Sequence, residues 1–199
     1  MAESIFTAEG YIRPALLLAA YRSGLFPMSL DHRGEIGWFS PDPRGVIPLD
    51  EFHVPKSLVR TMRKQPFEIR MDTAFGEVIR GCSLRETTWI SGRIRKSYEK
   101  LHELGYAHSI EAWNGDRLVG GLYGVAIGGA FFGESMFSRE TDASKIPLVW
   151  LVERLKARGF RLLDTQWSTP HLARFGCREI PRDDYLEQLA AALAVDTSL

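Results

Sequence analysis

The sequence predicts an α+β fold in which a mostly antiparallel meander of strands is joined through one crossover helix to a parallel strand. Residues 117–127 and 130–137 are rich in apolar side chains and predict two strands. Gly128 and Gly129 between them can supply the positive φ angles of a tight hairpin turn. A further apolar run over residues 160–166 predicts a buried strand that ends in polar groups at a cleft.

The crossover helix is predicted between the last two of these strands. Ser144 occupies an N-cap position, Pro147 suits the first helical turn, and Gly159 can end the helix as a left-handed residue. The apolar residues between them follow the spacing of one buried helical face. They are Leu148, Leu151, Val152 and Leu155.

A proline-rich stretch, residues 40–48, separates this region from the start of the chain. Its three prolines can neither continue a helix nor lie in a central strand. Before it, residues 14–23 predict a short apolar helix that Gly24 ends. We therefore expect a small N-terminal domain over residues 1–43 and a larger domain over residues 44–199.

Residues 55–65 predict a helix with cations along one side. Leu58, Val59 and Met62 form its apolar stripe. The cations on another face are Lys56, Arg60, Arg63 and Lys64. By itself this pattern is most simply an ordinary solvated surface, and contact with nucleic-acid phosphates is the alternative.

Residues 93–104 predict a second basic helix, which Gly105 ends. The inward face of this helix is formed by Ile94, Tyr98 and Leu101. Residues 106–113 then predict a strand. The pair Asn114 and Gly115 behind it is a strong signal for a two-residue hairpin turn.

The composition excludes several classes of protein. With 199 residues, of which 45% are hydrophobic, the chain can bury one substantial core and is not a disordered chain. No run approaches eighteen apolar residues and the start lacks a signal-peptide pattern, so we expect a cytoplasmic protein. The 25 basic and 25 acidic residues cancel, so no overall field draws the chain to nucleic acid. Locally, residues 51–70 hold five basic against two acidic residues, and residues 80–100 hold six against two.

The sequence shows no pattern typical of a metal or cofactor site. The five histidines have no HExxH or HxxxH spacing, and no serine lies in a GxSxG turn. Cys82 and Cys177 do not form a CxxC pair. We therefore expect no metal, no cofactor and two incidental or buried thiols.

Several long motifs together resemble one family. The run GESMFSRETDASK, followed after the predicted crossover helix by LLDTQ, resembles the signature of leucyl/phenylalanyl-tRNA–protein transferases. The resemblance extends from Tyr21 to Leu189 through GLFPM, WFSPDPRGVIPL, TWI, LHELGYAHSIEAW, LVGGLYGV and GCREIPRDDYLEQL. Members commonly begin with a longer segment that contains a glycine-rich stretch, and often have tryptophan at the position of Met28. This sequence resembles a short form without either feature.

The resemblance implies an acetyltransferase-like (GNAT-type) mixed sheet with flanking helices, preceded by a small N-terminal domain. It implies an aminoacyltransferase that moves Leu or Phe, and less readily Met, from aminoacyl-tRNA to the α-amine of proteins with N-terminal Arg or Lys. The product would be marked for degradation through the N-degron (N-end rule) pathway. Because the donor ester is already activated, the reaction needs neither ATP nor a metal, and positioning can supply much of the rate. A monomer suffices for this reaction.

The motifs place three polar residues in the implied site. Asp164 and Gln166 lie two positions apart on a predicted strand, so their side chains should share a face. We expect Gln166 to hold the attacking amine or the ester, and Asp164 to orient Gln166 and to accept or stabilise the proton. A cap on the turn near Ser168 is the alternative for Asp164. Glu134 should bind a cation of the acceptor, and an ion pair with Arg139 or another internal cation is its alternative.

The resemblance also implies a pocket for the aminoacyl side chain. The pocket residues are Leu122, Phe131, Met136, Leu148, Leu151, Leu155 and Leu163, which a plain hydrophobic core would equally contain. Strict alternation puts Phe131 and Met136 on opposite faces of one strand, so we expect a bulge near Gly133.

The tRNA is expected to contact two further parts of the chain. Trp89 should stack on the 3′-terminal adenosine, although a core position would also suit a lone tryptophan. The cations Lys56, Arg60, Arg63 and Lys64 should contact tRNA phosphates, and such contacts do not read the base sequence.

Two other classes of function stay open. An acyl-CoA N-acyltransferase would share the fold, but the segment SRETDASK is a poor version of a glycine-rich pyrophosphate-binding turn. A noncatalytic RNA-binding module would explain the basic helices. It gives no reason for Asp164 and Gln166 to lie together, and the sequence contains no recognisable RNA-reading motif.

Overall fold

A seven-stranded sheet with helices on both faces forms the centre of the protein in a computed structural model that describes residues 5–31, 34–84 and 88–199. The helices are α1 (Pro14–Arg22), α2 (Lys56–Met62), α3 (Phe75–Ser83), α4 (Gly92–Glu103), α5 (Lys145–Ala157), α6 (Pro170–Ala173) and α7 (Arg182–Leu193). The strands are β1 (Phe26–Ser29), β2 (Ile36–Phe39), β3 (Arg44–Ile47), β4 (Glu68–Met71), β5 (Ala107–Asn114), β6 (Arg117–Ile127), β7 (Ala130–Ser138), β8 (Leu162–Gln166) and β9 (Arg178–Ile180).

The sheet has the strand order β4-β5-β6-β7-β8-β3-β9. Its neighbouring strands are antiparallel except β7 and β8, which are parallel and are connected by α5. Strands β1 and β2 form a separate antiparallel pair. The predicted mixed α+β fold with flanking helices is therefore confirmed. The division into domains at residues 1–43 and 44–199 stays a prediction.

The alternation of side chains along β6 builds the two apolar layers. Tyr123 belongs to a cluster that includes buried residues of α1, α3, α4 and α7. Its neighbour Leu122 belongs to a second cluster that includes most of the buried face of α5. Because successive strand residues point to opposite faces, one strand supplies both layers and holds them at a fixed separation.

The strongest sequence patterns are confirmed. Strand β6 covers residues 117–127, and Gly128 behind it has a φ of 54°. Helix α5 begins after Ser144 and ends before Gly159, which has a φ of 76°. Ser144 occupies the N-cap position, but its hydroxyl makes no capping hydrogen bond.

Helix α2 is shorter than its sequence pattern predicts. It ends at Met62, so Arg63 and Lys64 lie in the turn behind it and not on the helix. The amides of Lys64 and Gln65 bond back to carbonyls three residues earlier, which tightens the chain into a turn. The predicted alignment of four cations along one helical side is therefore wrong for these two.

The hairpin between β5 and β6 turns one residue later than the sequence signal indicates. Asn114 pairs with Arg117, so Gly115 and Asp116 form the turn. Gly115 has a φ of 59°, a value that glycine adopts without steric cost. The asparagine therefore belongs to the strand, and the glycine is the first turn residue.

A bulge in β7 confirms the irregularity expected near Gly133. Tyr123 pairs with Ser135 and Gly124 pairs with Gly133, so Glu134 is an extra residue between them. The extra residue reverses the alternation of the strand. Phe131 and Met136 consequently pack in the same apolar cluster.

We expect the close approach of β6 to the loop before α5 to limit substitution at Gly120. A Cβ at Gly120 would lie 2.4 Å from the backbone oxygen of Ala143, so Gly120→Ala should lower the free energy of unfolding by about 1–3 kcal/mol. Thermal unfolding should show a fall of roughly 3–10 °C. Gly92→Ala is the control, because a Cβ there meets nothing within 4 Å. Equal melting temperatures for the two variants would contradict this packing.

Candidate active site

A cavity of about 760 Å³ opens where β7 and β8 separate. The two parallel strands pair only from Ala130 and Leu162 to Phe132 and Asp164. Beyond that point Glu134 and Gln166 line the cavity from the two strands. The end of a parallel strand pair therefore supplies its polar wall.

Five of the seven predicted pocket residues form the apolar wall. They are Leu122, Met136, Leu148, Leu151 and Leu163. Phe131 and Leu155 are fully buried in the same cluster but do not line the cavity. They support the wall from behind, because Leu155 lies a full turn further along α5 and Phe131 precedes the bulge.

Glu134 lies against two buried tyrosines. Its Oε1 accepts a hydrogen bond of 2.6 Å from the hydroxyl of Tyr21, and its Oε2 accepts one of 3.0 Å from Tyr98. The two hydroxyl oxygens also lie within hydrogen-bonding distance of each other. Because two hydroxyl protons cannot serve three contacts, one of the three requires a proton on Glu134. The alternative ion pair with Arg139 is wrong, because Arg139 donates to the carbonyl of Leu118 and lies over the ring of Phe137.

The surroundings of Glu134 favour its protonated form. Burial of the carboxylate and the negative charge of Asp164 outweigh the two tyrosine hydrogen bonds and the charge of Arg44, and raise the pKa of Glu134 to about 7. Burial and the nearby Glu134 charge also raise the pKa values of Tyr21 and Tyr98 well above their usual range. Both hydroxyls therefore stay protonated and remain donors near neutral pH.

Gln166 ends β8 in an unusual backbone conformation. Its φ is 61°, and its backbone N–H donates a 2.8 Å hydrogen bond to Oδ1 of Asp164. Its side-chain Nε2 lies 3.5 Å from Oε1 of Glu134. The cavity is thus bordered by an amide next to a carboxylate.

Asp164 lies next to Gln166 but does not line the cavity. It is fully buried and accepts two hydrogen bonds from Arg44 and one from Tyr185. The expected link between Asp164 and Gln166 is therefore present, but it runs through the backbone of Gln166. Four donors, from Arg44, Tyr185 and Gln166, therefore lie against the two oxygens of Asp164.

Four residues of this network were absent from the sequence-based site: Tyr21, Arg44, Tyr98 and Tyr185. The sequence signal for Tyr98 was its inward helical position, which predicts burial but not a partner. Arg44 precedes a run of apolar residues, GVIP. A buried arginine needs a buried partner, but the sequence does not show that this strand is central and that Arg44 is therefore buried.

The rim of the cavity is rich in accessible apolar side chains. Trp89 lines the cavity and is partly buried, as is Met28. Leu84 and Trp167 also line it and are 71% and 42% exposed. The ring of Trp167 meets that of Phe26 edge-on at 5.2 Å. Trp89 therefore borders the cavity and also packs against the buried core.

Helix α2 lies beside the apolar cavity wall. Its Thr61 hydroxyl donates to Asp142, which also pairs with Lys145 at the start of α5. The side chains of the four cations on or just behind α2 are exposed; these are Lys56, Arg60, Arg63 and Lys64. Arg85 of the basic segment 80–100 and His32 lie outside the described residues.

The described residues hold no group of three His, Cys, Asp or Glu side chains that could bind a metal ion. Cys82 and Cys177 form no disulfide, and both are buried, as expected. None of the helices within residues 5–31, 34–84 and 88–199 is long and apolar enough to span a membrane.

Comparison with known proteins finds similarity along nearly the whole chain. The family described as leucyl/phenylalanyl-tRNA protein transferase matches residues 46–190, and its N-terminal domain matches residues 10–42. A leucyl/phenylalanyl-tRNA–protein transferase of Akkermansia muciniphila is 55% identical over 186 residues, which are 92% of this chain and 96% of the relative. The relative of the same name from Herpetosiphon aurantiacus is 57% identical over 183 residues, or 92% and 95% of the two chains.

Among solved structures, that of L-PGS from Bacillus licheniformis is similar with a TM-score of 0.45 and 9% sequence identity. The similarity covers 75% of this chain and 56% of the L-PGS chain.

We expect the raised pKa of Glu134 to make stability depend on pH. The folded state, with a Glu134 pKa of about 7 against 4.5 for an ordinary glutamate, binds the proton more tightly than the unfolded state. This stabilisation is complete below pH 4.5 and is lost as the pH rises through 7. Between about pH 5 and 8 the wild type should therefore lose stability that Glu134→Gln does not lose. The melting temperature of the variant minus that of the wild type should rise by several degrees over this range. A difference that does not change with pH would contradict the raised pKa.

Proposed function

The chain belongs to the leucyl/phenylalanyl-tRNA–protein transferase family, and from this we propose that it transfers Leu or Phe, and less readily Met, to proteins with N-terminal Arg or Lys. The family consists of aminoacyltransferases that act on aminoacyl-tRNA and protein. The choice of Arg or Lys at the acceptor, a monomeric cytoplasmic enzyme, and degradation of the product through the N-degron pathway are parts of the proposal. The observation that carries it is an apolar cavity whose polar end pairs Glu134 with Gln166.

The apolar wall suits the side chain of the transferred amino acid. Leu122, Leu151 and Leu163 line the cavity with Met136 and Leu148, and these five described residues form a wall without a charged group. Hydrophobic contact of this kind distinguishes side chains by about 1–3 kcal/mol per methylene. The cavity should therefore select large apolar residues as a class, with Val as a poor substrate.

Glu134 is the best partner for the acceptor cation. Of the described residues that line the cavity, it alone is acidic. An α-ammonium group or an N-terminal Arg or Lys side chain would stabilise the ionised carboxylate, which burial otherwise disfavours.

The reaction is attack of the acceptor α-amine on the ester carbonyl carbon of aminoacyl-tRNA. A C–N bond forms, the C–O bond to the terminal ribose breaks, and the proton that the amine loses ends on the departing ribose oxygen. We assign the transfer of this proton to Glu134 and not to Asp164, because Glu134 borders the cavity and Asp164 is already surrounded by donors. Gln166 offers two N–H donors and one acceptor to the reacting groups, but as a neutral amide it is not a base.

The tRNA would lie across the rim of the cavity. Trp89 is placed to stack on the terminal adenosine, which would leave the esterified amino acid in the cavity. Lys56 and Arg60 on α2, with Arg63 and Lys64 behind it, are exposed to contact phosphates.

Transfer of radiolabelled leucine from charged tRNA tests the proposed function. A peptide that begins with Arg should gain acid-stable label, whereas the same peptide beginning with acetyl-Arg should gain none, because acetylation removes the attacking amine. Equal labelling of peptides that begin with Arg, Lys and Ala would contradict acceptor selection by charge. Tight binding of charged tRNA without transfer would indicate an RNA-binding module, and absence of both would lead to tests of acyl-CoA donors.

Replacement of Gln166 should slow the chemical step. Gln166→Ala removes the amide from the polar end of the cavity, and loss of such a positioned donor typically costs about 10²-fold in kcat. Single-turnover transfer to the Arg peptide measures this rate. Gln188→Ala is the matched control, since Gln188 lies on the exposed side of α7. A Gln166→Ala rate within about threefold of wild type would exclude a direct role.

Removal of cations from α2 should weaken tRNA binding in a salt-dependent way. The double variant Lys56→Gln/Arg60→Gln loses two proposed phosphate contacts, so the plot of log Kd against log salt should flatten by about one to two units. Lys156→Gln/Arg161→Gln removes two exposed cations at the other end of α5 and should leave the slope unchanged. Equal slopes for both double variants would place the tRNA elsewhere.

A further inference from the structure

A buried arginine, Arg44 at the start of β3, lies beneath the cavity. Its side chain is fully buried, and its guanidinium donates from Nε to Oδ1 of Asp164 at 3.0 Å and from Nη2 to Oδ2 at 2.7 Å. Tyr185 of α7 donates its hydroxyl to the same Oδ2 at 2.8 Å. The guanidinium lies between the rings of Phe26 and Tyr185, with centroids 4.9 and 4.4 Å away.

The carboxylate held in this way controls one wall of the cavity. Asp164 accepts the backbone N–H of Gln166, a residue whose left-handed conformation is uncommon outside glycine. Opposite Gln166, Gly45 follows Arg44 directly, and a Cβ at Gly45 would lie 2.4 Å from the carbonyl carbon of Trp167. The chain therefore turns in a tightly packed space, where the Asp164 carboxylate holds the backbone N–H of Gln166.

The same guanidinium also holds the other side of the cavity. Its Nη1 donates to the carbonyl of Gly24 at 2.9 Å. The amide of Gly24 in turn bonds the carbonyl of Tyr21, the residue whose hydroxyl holds Glu134. One side chain is therefore connected to both polar groups that face the cavity, Gln166 through Asp164 and Glu134 through the end of α1.

We propose that Arg44 is a positioning residue for aminoacyl transfer, which sets the geometry of Gln166 and Glu134 relative to each other without touching either substrate. The proposal rests on the proposed function, since it assigns Arg44 to that reaction. An ordinary buried ion pair stabilises a fold little compared with apolar residues of the same size. The particular function of this one is to join three segments that are distant in sequence at the polar end of the cavity.

Arg44→Lys is the first variant that tests this role. Lysine keeps the charge but cannot form the two-pronged contact and reach the Gly24 carbonyl as well. We expect kcat to fall about tenfold or more while the KM values for charged tRNA and peptide stay within about twofold, because substrates do not touch Arg44. Backbone hydrogen exchange at Gln166, followed in a peptide over residues 163–167, should become faster.

A second variant separates positioning from folding. Arg44→Met/Asp164→Leu replaces the buried pair by apolar side chains, which commonly preserves stability. The backbone N–H of Gln166 and the hydroxyl of Tyr185 then lose their acceptor, which should lower the melting temperature by several degrees. Per folded molecule, we expect a low kcat and fast exchange at Gln166. Arg70→Lys is the matched control, because Arg70 forms the same two-pronged contact with Glu68 on the surface.

Three outcomes would overturn the proposal. A folded Arg44→Lys enzyme with kcat within about twofold of wild type is the first. Recovery of wild-type kcat in the double variant is the second, and a loss of kcat that matches the loss of folded protein in both variants is the third. If the wild-type chain transfers no amino acid, the proposed function fails instead, and unchanged hydrogen exchange at Gln166 in Arg44→Lys would still refute the positioning.

Discussion

The bidentate contact between Arg44 and Asp164 is the interaction on which the site depends. Both side chains are fully buried, so each would be costly without the other. The two residues lie on adjacent antiparallel strands, β3 and β8, and the pair is closed from α7 by Tyr185. Burial lowers the pKa of Arg44, but its hydrogen bonds to Asp164 and the Asp164 charge more than offset this and raise it. The guanidinium therefore stays charged, and the pair fixes the edge at which the cavity begins.

A single extra residue in β7 brings an apolar wall and a polar wall together in the cavity. Without the bulge, alternation would place Phe131 and Met136 in different layers, and Glu134 would be an ordinary strand position. With it, Met136 joins the apolar wall and Glu134 reaches the hydroxyls of Tyr21 and Tyr98. The apolar and polar walls consequently adjoin between Glu134 and Met136. An aminoacyl ester and an attacking amine would have to come together at this point.

The polar end of the cavity is built from donors around one carboxylate. Two tyrosine hydroxyls and the amide of Gln166 approach Glu134, yet burial still raises its pKa to about 7. A carboxylate in this state can bind a cation strongly or hold a proton, and the choice depends on what enters the cavity. Few charged groups are needed for such chemistry, because the donor ester is activated before it arrives.

The sequence by itself determined the elements whose pattern is local. The apolar spacing of α5, the inward face of α4 and the extent of β6 follow from periodicity within a dozen residues, and motif resemblance added Asp164, Gln166 and Glu134. Only the tertiary structure decided the partners of these residues. Tyr21 lies 113 positions from Glu134 and Arg44 lies 120 from Asp164, so no local pattern records either contact. The left-handed backbone of Gln166 likewise depends on tertiary contacts, because Asp164 holds its N–H at a point where β8 lies against Gly45 of β3.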